Sequence, residues 1–69
     1  MASTSIFVRQ KQTLKFFGKH GQWVSSFLEA KTFTSTWEAV DSCAKHRVHG
    51  AEIVMRMGEP LYDILIDIP

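Results

Sequence analysis

The sequence predicts one small α+β domain, a ββαββ fold in which a four-stranded antiparallel sheet carries one helix on one face. Three observations predict it. Residues 6–17 alternate in polarity with the period of a strand, residues 35–49 carry a capped helical pattern, and residues 52–68 return to alternation on both sides of Gly58-Glu59-Pro60.

The first strand reads Ile6, Val8, Gln10, Gln12, Leu14 and Phe16 at even positions and Phe7, Arg9, Lys11, Thr13, Lys15 and Phe17 at odd ones. Successive side chains of a strand point to opposite faces, so the even set is expected in the core and the odd set on a basic face with an aromatic at each end. Gln10 and Gln12 interrupt the apolar set and mark a bulge or a stretch the helix does not cover. Gly18-Lys19-His20-Gly21 supplies two glycines that accept positive φ, as a four-residue hairpin loop needs, and a short strand at 22–25 returns with Trp23 and Val24. Leu28, Ala30 and Phe33 read as a turn leading into a brief extended piece.

The helix is expected over about 35–49. Ser35 followed by Glu38 fits a capping box, in which each side chain serves the other residue's backbone N–H. Trp37, Val40, Ala44 and Val48 define one apolar stripe, expected to face the even positions of the first strand together with Ile53, Met55, Ile64 and Ile66. Glu38 and Asp41 precede Lys45, His46, Arg47 and His49, an order that complements the helix dipole, and Gly50 is placed to end the helix.

Two strands follow. Ile53, Met55 and Met57 alternate with Glu52, Val54 and Arg56; after the turn at Pro60, Tyr62, Ile64, Ile66 and Ile68 alternate with Leu61, Asp63, Leu65 and Asp67. Two hairpins joined by a helix close a sheet in the order 1-2-4-3 or 2-1-3-4. The last strand is the most apolar on both faces, which favours a central place for it and hence 1-2-4-3.

At 69 residues the chain makes a single domain, 1–69, with 45% apolar residues to build its core. Met1-Ala2-Ser3-Thr4-Ser5 reads as a short disordered lead. No apolar run, Ile64-Leu65-Ile66 included, approaches the length of a signal peptide core or a membrane span. Cys43 is the only cysteine, so an internal disulfide is excluded; a reducing, cytosolic setting is expected. Net charge is +1 but unevenly placed. Residues 1–34 hold five Lys or Arg against one acid, and residues 35–69 hold three against six. Such asymmetry can mean an anionic partner for the first half, but mutual attraction of the two halves within one fold is the favoured expectation.

Specific chemistries are mostly excluded. Cys43, His46 and His49 recur at three-residue spacing, but His49 lies about 120° around the helix from Cys43, and a structural zinc wants four ligands. A Cys43–His nucleophilic pair lacks an orienting third group and a pocket. Glu38, Asp41, Asp63 and Asp67 read as solvated surface. Gly18-Lys19-His20-Gly21 lacks the Gly-Lys-Ser/Thr ending of a phosphate loop, and Met55 and Met57 read as core. The stretch from Trp23 to Ala39 resembles that of many small bacterial and phage proteins, a likeness that implies no function.

The expected role is a non-enzymatic interaction module with no catalytic residue, cofactor, metal or membrane partner. One helix covers one sheet face. The other would carry Phe7, Phe17, Val54, Leu61 and Leu65, so a protein partner or a second copy is expected there or along an adjacent strand edge, unless the 27–33 segment covers these residues. The alternative is single-stranded nucleic acid on the same face, with Phe7 and Phe17 stacking on bases and Arg9, Lys11, Lys15 and Arg56 meeting phosphates. Asp63 and Asp67 would share that face and repel phosphate.

Overall fold

The computed structural model describes residues 4–59 and 62–69. Its elements are β1 (Thr4–Gln10), β2 (Phe16–Phe17), β3 (Trp23–Val24), a 3₁₀ turn (Phe27–Glu29), α1 (Thr36–Lys45), β4 (Ala51–Met57) and β5 (Ile64–Ile68). The strands form one antiparallel sheet in the order β3-β2-β1-β4-β5. The class is α+β as expected; the sheet has five strands instead of four.

The extra strand arises because the alternating run 6–17 is two strands, not one. A four-residue loop at 11–14 folds it back on itself. The Gln10 N–H donates to the Lys15 carbonyl at 2.8 Å, and the Leu14 N–H donates to the Gln10 carbonyl at 2.8 Å. Thr13 Oγ1 donates to Gln10 Oε1 at 2.7 Å and accepts from the Lys15 N–H at 3.2 Å. Gln10, which flawed the apolar pattern, thus anchors a turn. The loop also reverses the face parity: Arg9 pairs with Phe16, so Phe16 joins the Phe7 face while Phe17 crosses to the helix side. The next hairpin forms where the glycines predict it, with Phe17 opposite Trp23 and Gly21 at φ 80°.

The preferred 1-2-4-3 order is also corrected. β1 is the central strand, pairing with β2 on one side and with β4 from Thr4↔Met57 to Gln10↔Ala51 on the other. If β1 and β2 are counted as the single strand expected, the order becomes 2-1-3-4. The most apolar strand therefore lies at the edge. Thr4 and Ser5, expected in a disordered lead, are the first residues of β1. The rest of that lead and the turn residue Pro60 lie outside the described residues.

Helix α1 starts as expected and stops early. Ser35 Oγ accepts from the Glu38 N–H at 3.1 Å, but the Glu38 carboxylate takes the Thr34 hydroxyl instead of completing the box. At the other end the Arg47 N–H donates to the Ala44 carbonyl at 3.3 Å and the Val48 N–H to the Cys43 carbonyl at 2.9 Å. This is a Schellman closure with Arg47, at φ 52°, in the left-handed place a glycine usually takes. Gly50, at φ 64°, instead turns the chain into β4.

The helix phase differs from expectation as well. Ala39 and Cys43 are its buried residues, whereas Trp37 is 77% exposed and Val40 and Ala44 are exposed too. Small side chains let α1 lie close over β1 and β4. The core on this side is Ile6, Val8, Phe17, Phe33, Ala39, Cys43, Ala51 and Ile53, with Trp23, Val48, Met55 and Ile68 packed around it.

The opposite face is covered in its middle. Phe27, from the 3₁₀ turn, sits edge-on to Phe7 and Phe16 at ring separations of 4.9 and 5.6 Å, and Phe7 meets Phe16 at 5.4 Å. Such T-shaped contacts are the favoured geometry of aromatic pairs. Val24 and Val54 are buried on this side too. The sheet therefore has an apolar layer on each face.

Candidate interaction surface

The residues expected to meet a partner separate into three groups. Phe7 and Val54 are fully buried beneath the Phe27 layer, and Phe17 is buried under the helix. Leu65 is 52% exposed, and Leu61 lies outside the described residues. Of the expected set, Leu65 of β5 is thus the residue found exposed among the described residues.

Three of the four cations of the nucleic-acid alternative are paired with acids. Arg9 Nε donates to Glu52 Oε2 at 2.8 Å, directly across the β1–β4 ladder. Lys11 pairs with Asp67. The Arg56 guanidinium makes two parallel bonds to the Asp63 carboxylate, at 3.0 and 2.9 Å, and lies 5.1 Å over the Phe7 ring. Those hydrogen bonds hold the Asp63 carboxyl below the usual carboxylate range and raise Arg56 further. Lys15 is exposed and the one cation of the set without an ion pair among the described residues. Phe7 and Phe17 are not accessible for stacking on bases. Two of the first half's five cations, Arg9 and Lys11, thus pair with acids of the second half, while the Arg56–Asp63 pair lies within the second half.

The helix cluster disperses. Cys43 is buried, and burial pushes its thiol pKa up, away from the thiolate. The His46 ring packs on Phe17 at 5.3 Å, and His49 Nδ1 stands 3.3 Å from the Pro69 carbonyl. Among the described residues no group of three or more His, Cys, Asp or Glu could hold a metal ion. No helix among them is long and apolar enough to cross a membrane.

What the structure assembles is an apolar strip along one side of the molecule. Ile64, Leu65 and Ile66 of β5 are 46%, 52% and 36% exposed. Because α1 sits over β1 and β4, it leaves the helix-side residues of β5 half open. Between them runs a groove of about 320 Å³ lined by Val40, Cys43, Ala44, Val48 and Ile68, with Arg47, His49 and Pro69. Trp37 lies one turn before Val40 on the same helix flank. Of the expected stripe, Val40, Ala44 and Val48 thus wall this groove and do not cover the sheet, and Trp37 stands in solvent. Period alone located the stripe; only the competing Ala39–Cys43 face shows which side packs inward.

No protein-family model, curated protein or solved structure matches the chain.

Proposed function

We propose that this protein is a non-enzymatic interaction module whose docking surface is β5 and the apolar groove beside it. The observation that carries the reading is an edge strand with three consecutive large apolar residues exposed. Edge strands are ordinarily blunted by lysine, proline, a bulge or a covering element, because unpaired backbone groups recruit other strands. Among the described residues Ile64–Ile68 has none of these, and its one charged residue, Asp67, is held by Lys11. A partner that adds a strand here gains main-chain hydrogen bonds, while the groove supplies specificity for alternate side chains. Burying Ile64, Leu65 and Ile66 adds roughly 25 cal/mol for each Å² withdrawn from water. The lone Cys43 fits a reducing, cytosolic setting.

The test is retention of proteins and nucleic acids from the source cell, including untagged copies of this chain, on immobilised wild type, Ile66→Lys and Lys15→Glu. The reading requires that Ile66→Lys lose what wild type retains and that Lys15→Glu keep it. Retention that survives Ile66→Lys, fails with Lys15→Glu and is competed by single-stranded oligonucleotide would replace it with the nucleic-acid reading.

A further inference from the structure

We infer that the occupant of the β5 edge is a second copy of this chain, paired antiparallel about Ile66 so that the two sheets run on as one of ten strands. The inference rests on β5 being the docking surface and goes beyond it by fixing the partner and the register.

The direction of the free backbone groups follows from the ladder. Gln10 exchanges both its bonds on the β2 side, and the Ile6 carbonyl accepts from the Phe33 N–H on that same side at 2.8 Å. Even residues of β1 therefore point away from β4 and odd residues toward it, in agreement with the Lys11 N–H donating to the Gly50 carbonyl. Antiparallel pairs alternate between bonded and non-bonded, so Ala51, Ile53 and Met55 direct their groups to β5 and meet those of Ile68, Ile66 and Ile64. Leu65 and Asp67 are left with N–H and C=O directed outward. Two-fold pairing must join odd residues to odd residues.

Three such registers are available, and charge separates them. Pairing Leu65 with its own copy sets Asp63 against Asp67 twice. Pairing Asp67 with its own copy opposes two carboxylates at the axis and asks Pro69 for an N–H it lacks. Pairing Leu65 with Asp67 opposes no like-charged side chains and completes four hydrogen bonds within β5, and Pro69 falls opposite Asp63, outside the strand. It also places Ile66 against Ile66 and Ile64 against Ile68, all on the helix side. An axis normal to the sheet keeps both helices on one face, where the two grooves flank a row of six isoleucines. Such a surface is self-complementary, as a two-fold interface requires.

Sedimentation equilibrium of the full chain to high micromolar concentration should give twice the 7.9 kDa chain mass. Leu65→Pro removes only an outward N–H and should give a folded monomer. Ile66→Lys should do the same. Ile66→Cys should crosslink to its own copy on mild oxidation, because the non-bonded pair sets its Cα atoms about 4.5 Å apart. Ile64→Cys should not, its copies lying about 13 Å apart along the strands. A monomer mass for wild type throughout the range overturns the proposal, and a foreign protein still lost on Ile66→Lys would then leave the docking reading intact. A dimer that Leu65→Pro leaves whole, or that crosslinks through Ile64→Cys and not Ile66→Cys, overturns the pairing.

Discussion

Arg56 and Asp63 are joined by two parallel hydrogen bonds, which tie the end of β4 to the approach to β5. The pair is mostly withdrawn from water, with the guanidinium over the Phe7 and Phe27 rings at 5.1 and 5.7 Å from their centroids. One residue thus links the aromatic layer to the edge strand. A planar fork suits both contacts at once, which lysine could not supply.

Stability should therefore fall at acid pH in part through Asp63. Its folded pKa is depressed, so the contribution is complete above the ordinary aspartate range and lost as pH falls through the folded value. Asp63→Asn should lower the melting temperature at neutral pH, by about 1 kcal/mol in stability, and flatten the decline between pH 5 and 2. Thermal melts of both proteins across that range check this. An unchanged slope would mean that the pair contributes nothing net.

Trp37→Ala should leave stability within about 0.5 kcal/mol of wild type, since the side chain stands in solvent. Phe7→Ala, which empties the centre of the aromatic layer, should cost about 3–5 kcal/mol and unfold much of the population. Denaturant titrations at low micromolar concentration separate the two. Comparable losses would mean that α1 packs through its Trp37 flank after all.

The contrast shows what the residues disclose and what they conceal. The helix, its Ser35 cap, the 18–21 hairpin and the last two strands were legible, because each is encoded by neighbours within one or two turns of chain. The loop at 11–14 was concealed, since Lys11, Gln12, Thr13 and Leu14 continue the strand alternation and contain no glycine; Leu14 takes φ 60° at its own cost. One such loop reverses parity, and so Phe16 and Phe17 exchanged faces. The helix phase failed for another reason. Ala39 and Cys43 are too small to dominate a hydrophobic stripe, yet small residues are what a helix lying close to a sheet needs. At the proposed docking surface, Leu65 was legible from strand parity. Ile64 and Ile66 were not, because an apolar strand reads as central until the pairing of β1 with β4 places it at the edge.

Backbone strain gives a third expectation. Leu14 and Arg47 are non-glycine residues in the left-handed region, both exposed. Leu14→Gly and Arg47→Gly should each be neutral or stabilising by up to about 1 kcal/mol, relief of strain being partly offset by greater freedom of the unfolded chain. Gly18→Ala should do the opposite, because its Cβ would stand 2.9 Å from the Gln22 carbonyl oxygen. Melting curves of the three variants test the loop geometry independently of any partner.

Cys43 should resist modification while the fold holds. Its burial and raised pKa both suppress the reactive thiolate. Reaction with a disulfide reagent at pH 8 should be slower than for unfolded protein by orders of magnitude and should accelerate together with denaturation. Rapid labelling of native protein would mean that α1 does not shield Cys43 against the sheet.

Amide hydrogen exchange along β5 tests the docking surface most directly. In dilute protein the Ile66 and Ile68 N–H groups, bonded to β4, should exchange slowly, while those of Leu65 and Asp67 exchange at the rate of open backbone. Raising the concentration, or adding a retained partner, should slow Leu65 and Asp67 to the rates of their neighbours. Leu65 and Asp67 amides that stay fast at every concentration and in every complex would show that nothing pairs with this edge, and the account would fail.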